Sequence, residues 1–140
     1  MGGIETVGSR EEELVLDVIR KKKIFRYGFN DKEVGASYAY RFEKAFREFI
    51  GAGCSLAVSS GTAALRTALA ALGIKAGDEV IVPAYTFVAT LEAVLDSGAV
   101  PILAEIDDSF NIDPVGIEGL ITGRTRAVRS AAVPEETARL

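Results

Sequence analysis

Cys54-Ser55-Leu56-Ala57-Val58-Ser59-Ser60-Gly61-Thr62-Ala63-Ala64-Leu65 is the stretch on which the fold turns. Cys54 to Val58 has the length and apolarity of a buried strand, and Thr62 to Leu72 carries apolar side chains at helical spacing up to Gly73. Working outward, Glu79 to Val82 and Val100 to Ile106 read as further buried strands. Between them, Thr86 to Asp96 reads as a helix that stops at Gly98. The alternation β-α-β-α-β predicts an α/β class with a largely parallel sheet and crossover helices. Asp113 and Pro114 suit the N-cap and first turn of a short helix to about Ile121, weakened by Gly116 and Gly119. A fourth strand is expected to begin near Thr125-Arg126-Ala127-Val128.

Upstream, two helices are expected. Ser9 followed by Glu12 has the pattern of a capping box, and Leu14, Val15, Val18 and Ile19 form a stripe, giving a helix over Ser9 to Lys23. After an aperiodic stretch from Ile24 to Gly35, the residues Phe42, Ala45, Phe46 and Phe49 mark a second amphipathic helix ending near Gly51. The chain therefore divides into a helical segment, 1–53, a partial α/β domain, 54–128, and a tail, 129–140, whose polar Pro134-Glu135-Glu136-Thr137 predicts disorder.

The 16 basic and 20 acidic residues are scattered, for a net charge of −4, so no nucleic-acid partner is expected. The one basic run, Arg20-Lys21-Lys22-Lys23, closes a helix opened by Glu11, Glu12 and Glu13, which is dipole complementation. Met1-Gly2-Gly3-Ile4-Glu5 lacks a basic stretch followed by a long apolar run, and no window has the apolar length of a membrane span, so a cytoplasmic protein without a membrane partner is expected. Cys54 stands alone, which excludes an intramolecular disulfide and a multi-cysteine metal site and predicts a small buried apolar residue. The sequence has no histidine, which removes Ser-His and Cys-His pairs and HExxH metal sites together. No metal ligand and no catalytic side chain is assigned; the chemistry needs another base or a cofactor.

Val58 to Leu65 lies where a strand is expected to pass into a helix. Gly61 lets the backbone approach a ligand, Ser60 and Thr62 offer hydroxyls, and the first N–H groups of the helix face any anion held there. An ordinary Ser/Thr N-cap has the same composition, and on these residues alone both readings stand. Competing signatures fail. Gly51-Ala52-Gly53 has Leu56 at the third glycine position of a dinucleotide fingerprint, a Walker A pattern is absent, and Ala57-Val58-Ser59-Ser60-Gly61 lacks the first glycine of a nucleophile elbow.

With these residues in view, the chain resembles the DegT/DnrJ/EryC1/StrS aminotransferases, which are PLP-dependent enzymes of fold type I. The resemblance runs from about Phe42 to Val128 and more loosely from Ser9. It is carried by Phe42-Glu43, by Val58 to Leu65, by Gly77-Asp78-Glu79-Val80-Ile81-Val82-Pro83 and by Tyr85-Thr86-Phe87-Val88-Ala89-Thr90. Gly98-Ala99-Val100-Pro101, Asp107, Asn111-Ile112-Asp113-Pro114 and Thr125 to Val128 follow in order.

The resemblance implies the incomplete N-terminal part of a fold-type I large domain, with 54–128 as a partial PLP-binding domain preceded by two helices. It implies pyridoxal 5'-phosphate as cofactor, with Gly61, Thr62 and Ala63 at its phosphate and Phe87 stacked on its ring. Tyr85 and Thr86 fall beside that site without a definite role. The implied reaction is amino transfer from glutamate or glutamine to a keto-sugar or keto-cyclitol in sugar biosynthesis, by a homodimer in the full-length form.

Family members run to more than twice this length. The aspartate that faces the pyridine nitrogen and the lysine that holds the cofactor belong to later segments, beyond the point where this chain diverges. None of Lys21, Lys22, Lys23, Lys32, Lys44 and Lys75 matches that lysine. A fragment inactive by itself is expected, with the change after Val128 marking a frameshift or truncation. The alternative is a noncatalytic module that binds phosphate or PLP, or that dimerises.

Overall fold

A computed structural model of the chain describes residues 6–22, 24–26 and 37–130. It divides into two units, Met1–Ala57 and Val58–Leu140. Most of the expected loop from Ile24 to Gly35, Lys23, and the tail from residue 131 lie outside the described residues.

The first unit holds two helices, α1 (Ser9–Lys21) and α2 (Tyr38–Ile50). The N-cap of α1 is Gly8 and not Ser9, and the Gly8 N–H donates to Glu11 Oε2 at 2.8 Å. The acidic partner thus lies one residue earlier than the Ser9–Glu12 pattern suggested, because Glu11 and Glu12 are both suited to the first turn and only the backbone path decides between them. At the far end of α2, Gly51 adopts φ +68° and its N–H closes on the Arg47 carbonyl, which a side chain there would disfavour.

Polar contacts hold this unit. Asp17 accepts from Lys21 Nζ at 2.6 Å and from the Tyr38 hydroxyl at 2.9 Å, joining α1 to α2. Glu43 is buried on α2. Its Oε2 accepts from Arg26 Nε at 3.0 Å and a second Arg26 N–H at 2.7 Å, and its Oε1 from the Ala57 N–H at 3.1 Å. The Arg26 guanidinium and then the Ala57 N–H hold the Glu43 carboxyl below its ordinary range, against the opposing effect of burial. The apolar stripes read from the sequence are only partly covered: Leu14 and Val18 are half-buried, whereas Val15, Ile19, Phe42, Phe46 and Phe49 are exposed, Phe49 by 87%.

The expected strand at Cys54–Val58 does not form, and Cys54 is exposed where burial was expected. A buried parallel strand needs ladder partners on both sides. This segment has none among the described residues; the Ala57 N–H goes to Glu43 Oε1, and Ser55 Oγ donates to the Glu43 carbonyl at 2.6 Å.

The second unit runs α3 (Gly61–Ala71), β1 (Glu79–Pro83), α4 (Val88–Asp96), β2 (Val100–Ala104), α5 (Pro114–Ile117), a 3₁₀ turn (Glu118–Leu120) and β3 (Thr125–Val128). The sheet has the order β2-β1-β3, which the sequence left open, and both pairings are parallel, as the alternation predicted. Its register sets Glu79 opposite both Val100 and Thr125. The ladder continues past β3, for the Arg129 N–H donates to the Ile81 carbonyl at 2.8 Å. Arg129 Nε is buried there without a partner among the described residues, a burden that an apolar residue would not carry.

β1 is buried along its whole length because both of its faces are covered. Val80 and Val82 pack with Leu69, Ile74, Ala93 and Val94 of the α3–α4 side, whereas Ile81 packs with Ala104, Ile112, Ile117 and Leu120 on the other. The chain steps from β1 to β2 with α4 on one face, then returns across β1 to β3 with α5 on the opposite face. The connections therefore reverse direction at β1, as in doubly wound sheets.

At the amino edge, Glu79 is 2% exposed and accepts from the Thr122 hydroxyl, while Arg124 pairs with its other oxygen. The Thr122 hydrogen bond, and after it the Arg124 guanidinium, outweigh burial and hold the Glu79 carboxyl below its ordinary value of 4.5. Because the folded value lies below the unfolded one, the stabilisation is present above pH 4.5 and is lost as pH falls through the folded value. Glu79→Gln should therefore melt lower than the unsubstituted chain at neutral pH, with the gap closing in acid. Melting curves across that range check this; a gap independent of pH would contradict it.

Candidate functional site

Gly77 and Gly98 tie the ends of α3 and α4 together: the Gly77 N–H donates to the Gly98 carbonyl at 3.2 Å. Gly98 has φ +76°, and a Cβ there would stand 3.1 Å from Ala76 Cβ, so only glycine permits this junction without a shift. With α3 and α4 packed against each other and their C-termini joined at the amino edge of the sheet, both N-termini emerge at the carboxyl edge. That is the edge at which ligands of doubly wound sheets bind, beside the point where strand order reverses. Gly61 and Phe87 are thereby brought to one side of the second unit.

Ser60 is the N-cap of α3, and its Oγ accepts from the Ala63 N–H at 3.1 Å. Ala64 N–H returns to the Ser60 carbonyl. The N–H groups of Gly61 and Thr62 have no partner among the described residues, nor has the Thr62 hydroxyl, so three donors remain at the positive end of the helix dipole. A Cβ built on Gly61 meets no atom within 4 Å, so the turn opens onto free space. Two of the three expected cradle residues thus offer open donors. Ala63, the third, reaches a phosphate through its N–H only by exchanging its bond to Ser60. Ser60 caps the helix, and the next two residues keep donors to spare.

Phe87 is 77% exposed at the N-cap of α4 and belongs to neither core cluster among the described residues. Its surroundings are ordered. The Ala84 N–H extends the sheet by donating to Ala104 at 2.8 Å, and the Thr86 and Thr90 hydroxyls lie 3.0 Å apart with Thr90 buried. The Phe87 carbonyl accepts from the Thr90 N–H at 2.9 Å. Tyr85 meets the ring of Phe110, with centroids 5.5 Å apart. This last partner was not foreseen from the sequence; Phe110 carried no motif signal beyond standing before Asn111-Ile112-Asp113.

A cavity of about 370 Å³ lies elsewhere, between the C-terminal halves of α3 and α4, lined by Arg66, Thr67, Ala70, Ile74, Ala93 and Asp96 among others. Its Arg66–Asp96 pair, 3.4 Å apart, is about half exposed on each side and adds little stability. Lys75 is the one lysine between residues 58 and 130; it sits in the turn after α3, at the amino edge away from Gly61 and Phe87. Among the described residues no group of His, Cys, Asp or Glu is arranged to hold a metal ion, and no helix is long and apolar enough to cross a membrane.

Residues 11–133 match the DegT/DnrJ/EryC1/StrS aminotransferase family. The L-glutamine:scyllo-inosose aminotransferase of Streptomyces griseus is 45% identical over 93 residues, which are 66% of this chain and 22% of that protein. Among solved structures, 3-amino-5-hydroxybenzoic acid synthase superposes with a TM-score of 0.77 at 32% identity, over 89% of this chain and 31% of its own. NtdA of Bacillus subtilis, with bound cofactor PMP, superposes with a TM-score of 0.71 at 37% identity, over 87% of this chain and 27% of its own. The chain thus spans between a fifth and a third of the length of these relatives.

Proposed function

Because the chain belongs to the DegT/DnrJ/EryC1/StrS aminotransferase family, we propose that its second unit supplies the phosphate-binding turn and one ring-facing wall of a PLP site. The reaction it serves is amino transfer to a keto-sugar or keto-cyclitol. The observation that carries this reading is the emergence of the open donors of Gly61 and Thr62 and the exposed ring of Phe87 at the same edge of one parallel sheet. In support of the substrate class stands the similarity to an enzyme named for L-glutamine and scyllo-inosose.

The residues present fit the cofactor. The Gly61 and Thr62 N–H groups and the Thr62 hydroxyl would hold a dianionic phosphate at the N-terminus of α3, where the helix dipole favours it. Phe87 would offer an aromatic face to a flat ring and exclude water from that side. When bound, PLP supplies the electron sink that amino transfer requires. For proton transfer and covalent attachment a lysine is needed. Lys75 stands at the wrong edge, and none of Lys21, Lys22, Lys23, Lys32 and Lys44 falls at a position that matches the family's lysine. The 140-residue chain by itself is therefore proposed to hold the cofactor without a covalent bond and without turnover.

Borohydride reduction in the presence of PLP, followed by mass spectrometry, tests this. We expect PLP retained on dialysis, and after reduction only scattered substoichiometric adducts on exposed lysines. One stoichiometric adduct on a single lysine, accompanied by transaminase turnover, would overturn the noncovalent reading.

A further inference from the structure

We propose that Phe110 is a positioning residue for Phe87, acting through Tyr85; the inference rests on the cofactor-facing role proposed above for Phe87. Phe110 has φ +60°, and Lys22 is the only other described non-glycine residue in the left-handed region. For a bulky aromatic that backbone is strained, and it persists only where surrounding contacts impose it. Those contacts are present in the loop after β2. The Phe110 N–H donates to the Asp107 carbonyl at 3.0 Å, and the Asp107 N–H to the Asn111 carbonyl at 2.9 Å. Asp107 Oδ1 accepts from both the N–H and the hydroxyl of Ser109, and an antiparallel bridge between Ile106 and Ile112 closes the base.

The product of this construction is a ring turned onto the loop after β1, 5.5 Å from the Tyr85 ring and inclined to it by 51°. The pair does little for the core, since Phe110 is 39% and Tyr85 48% exposed. What it does is anchor the residue two before Phe87. Ala84 is fixed by the sheet and Thr86 by Thr90, so the Tyr85 ring is the point at which a second loop restrains this turn. Phe87 is 77% exposed, and its direction is inherited from these neighbours. An aromatic face presented in a fixed direction binds a flat ligand more tightly than a mobile one, because less freedom is lost on binding.

Phe110→Ala and Phe110→Gly separate the ring from the backbone strain, since both remove the ring and glycine alone accepts φ +60° freely. We expect both to weaken noncovalent PLP binding by about two- to ten-fold, the range of an aromatic pair contact. The glycine variant should nevertheless melt higher than the alanine variant, and Phe110→Tyr should bind as the unsubstituted chain does. In a Phe87→Ala background, Phe110→Ala should weaken binding no further. Affinity restored by glycine, or an additive loss in the double variant, would overturn the proposal. NMR order parameters of residues 84–87 in the free chain give a second readout: they should fall in both variants, and unchanged values overturn it whether or not PLP binds. If instead the unsubstituted chain fails to bind PLP, or Phe87→Ala binds it equally well, the cofactor reading fails and the order parameters alone judge the coupling.

Discussion

Thr62→Val should weaken noncovalent PLP binding by about ten- to a hundred-fold, since a hydrogen bond to a charged group contributes about 1.5–3 kcal/mol. Valine is nearly isosteric with threonine, so the turn and the Ser60 cap should survive. The Thr62 hydroxyl has no partner among the described residues, and removing it therefore leaves no orphaned protein group behind. The loss is then that of the ligand contact. Thr62→Ser, which keeps the hydroxyl, should retain most of the affinity. Equilibrium dialysis against PLP measures both. Equal affinity for Thr62→Val and the unsubstituted chain would remove the side chain from the phosphate site and leave the Gly61 and Thr62 N–H groups as the binding elements.

Ile81→Ala should destabilise the second unit by about 2–5 kcal/mol, the range for emptying a close-packed site. Ile81 has no exposed surface, and it is the central-strand residue around which Ala104, Ile112, Ile117 and Leu120 assemble. Neighbours from a four-residue helix and a 3₁₀ turn are less able to collapse into the gap than a mobile loop would be. That loss is a large part of the 5–15 kcal/mol usual for a domain. Urea titration should show a lowered midpoint at an unchanged slope. Leu103→Ala serves as a control: at 56% exposure on the neighbouring strand it should change stability by no more than about 0.5 kcal/mol. Similar losses at the two positions would contradict the two-faced core.

The α/β class, the parallel sheet, and the helices that end before Gly51, Gly73 and Gly98 were legible in the amino-acid order, because they rest on local rules. Helical and strand periodicities are set by backbone geometry, and a left-handed cap strongly favours glycine. The cap at Asp113 belongs to the same group, with its Oδ1 accepting from the Val115 N–H. So does the turn at Ser60 to Thr62, whose donors are left over by the geometry of any helix start.

What depended on partners distant in the chain was decided by tertiary structure alone. Cys54–Val58 has a strand's composition but finds no ladder among the described residues, and its Ala57 N–H goes to Glu43 instead. Glu79 is a charged residue in a central strand, tolerable because Thr122 and Arg124, more than forty positions later, complete its hydrogen bonds. Phe87, with the hydrophobicity of a core residue, stands exposed beside three residues that are each held elsewhere, Ala84 by Ala104, Tyr85 by Phe110 and Thr86 by Thr90. Phe110 carries no local preference for φ +60°; the Asp107–Asn111 loop and the Tyr85 ring put it there. Burial and pairing are properties of two or more segments at once, and the composition of one segment cannot specify them.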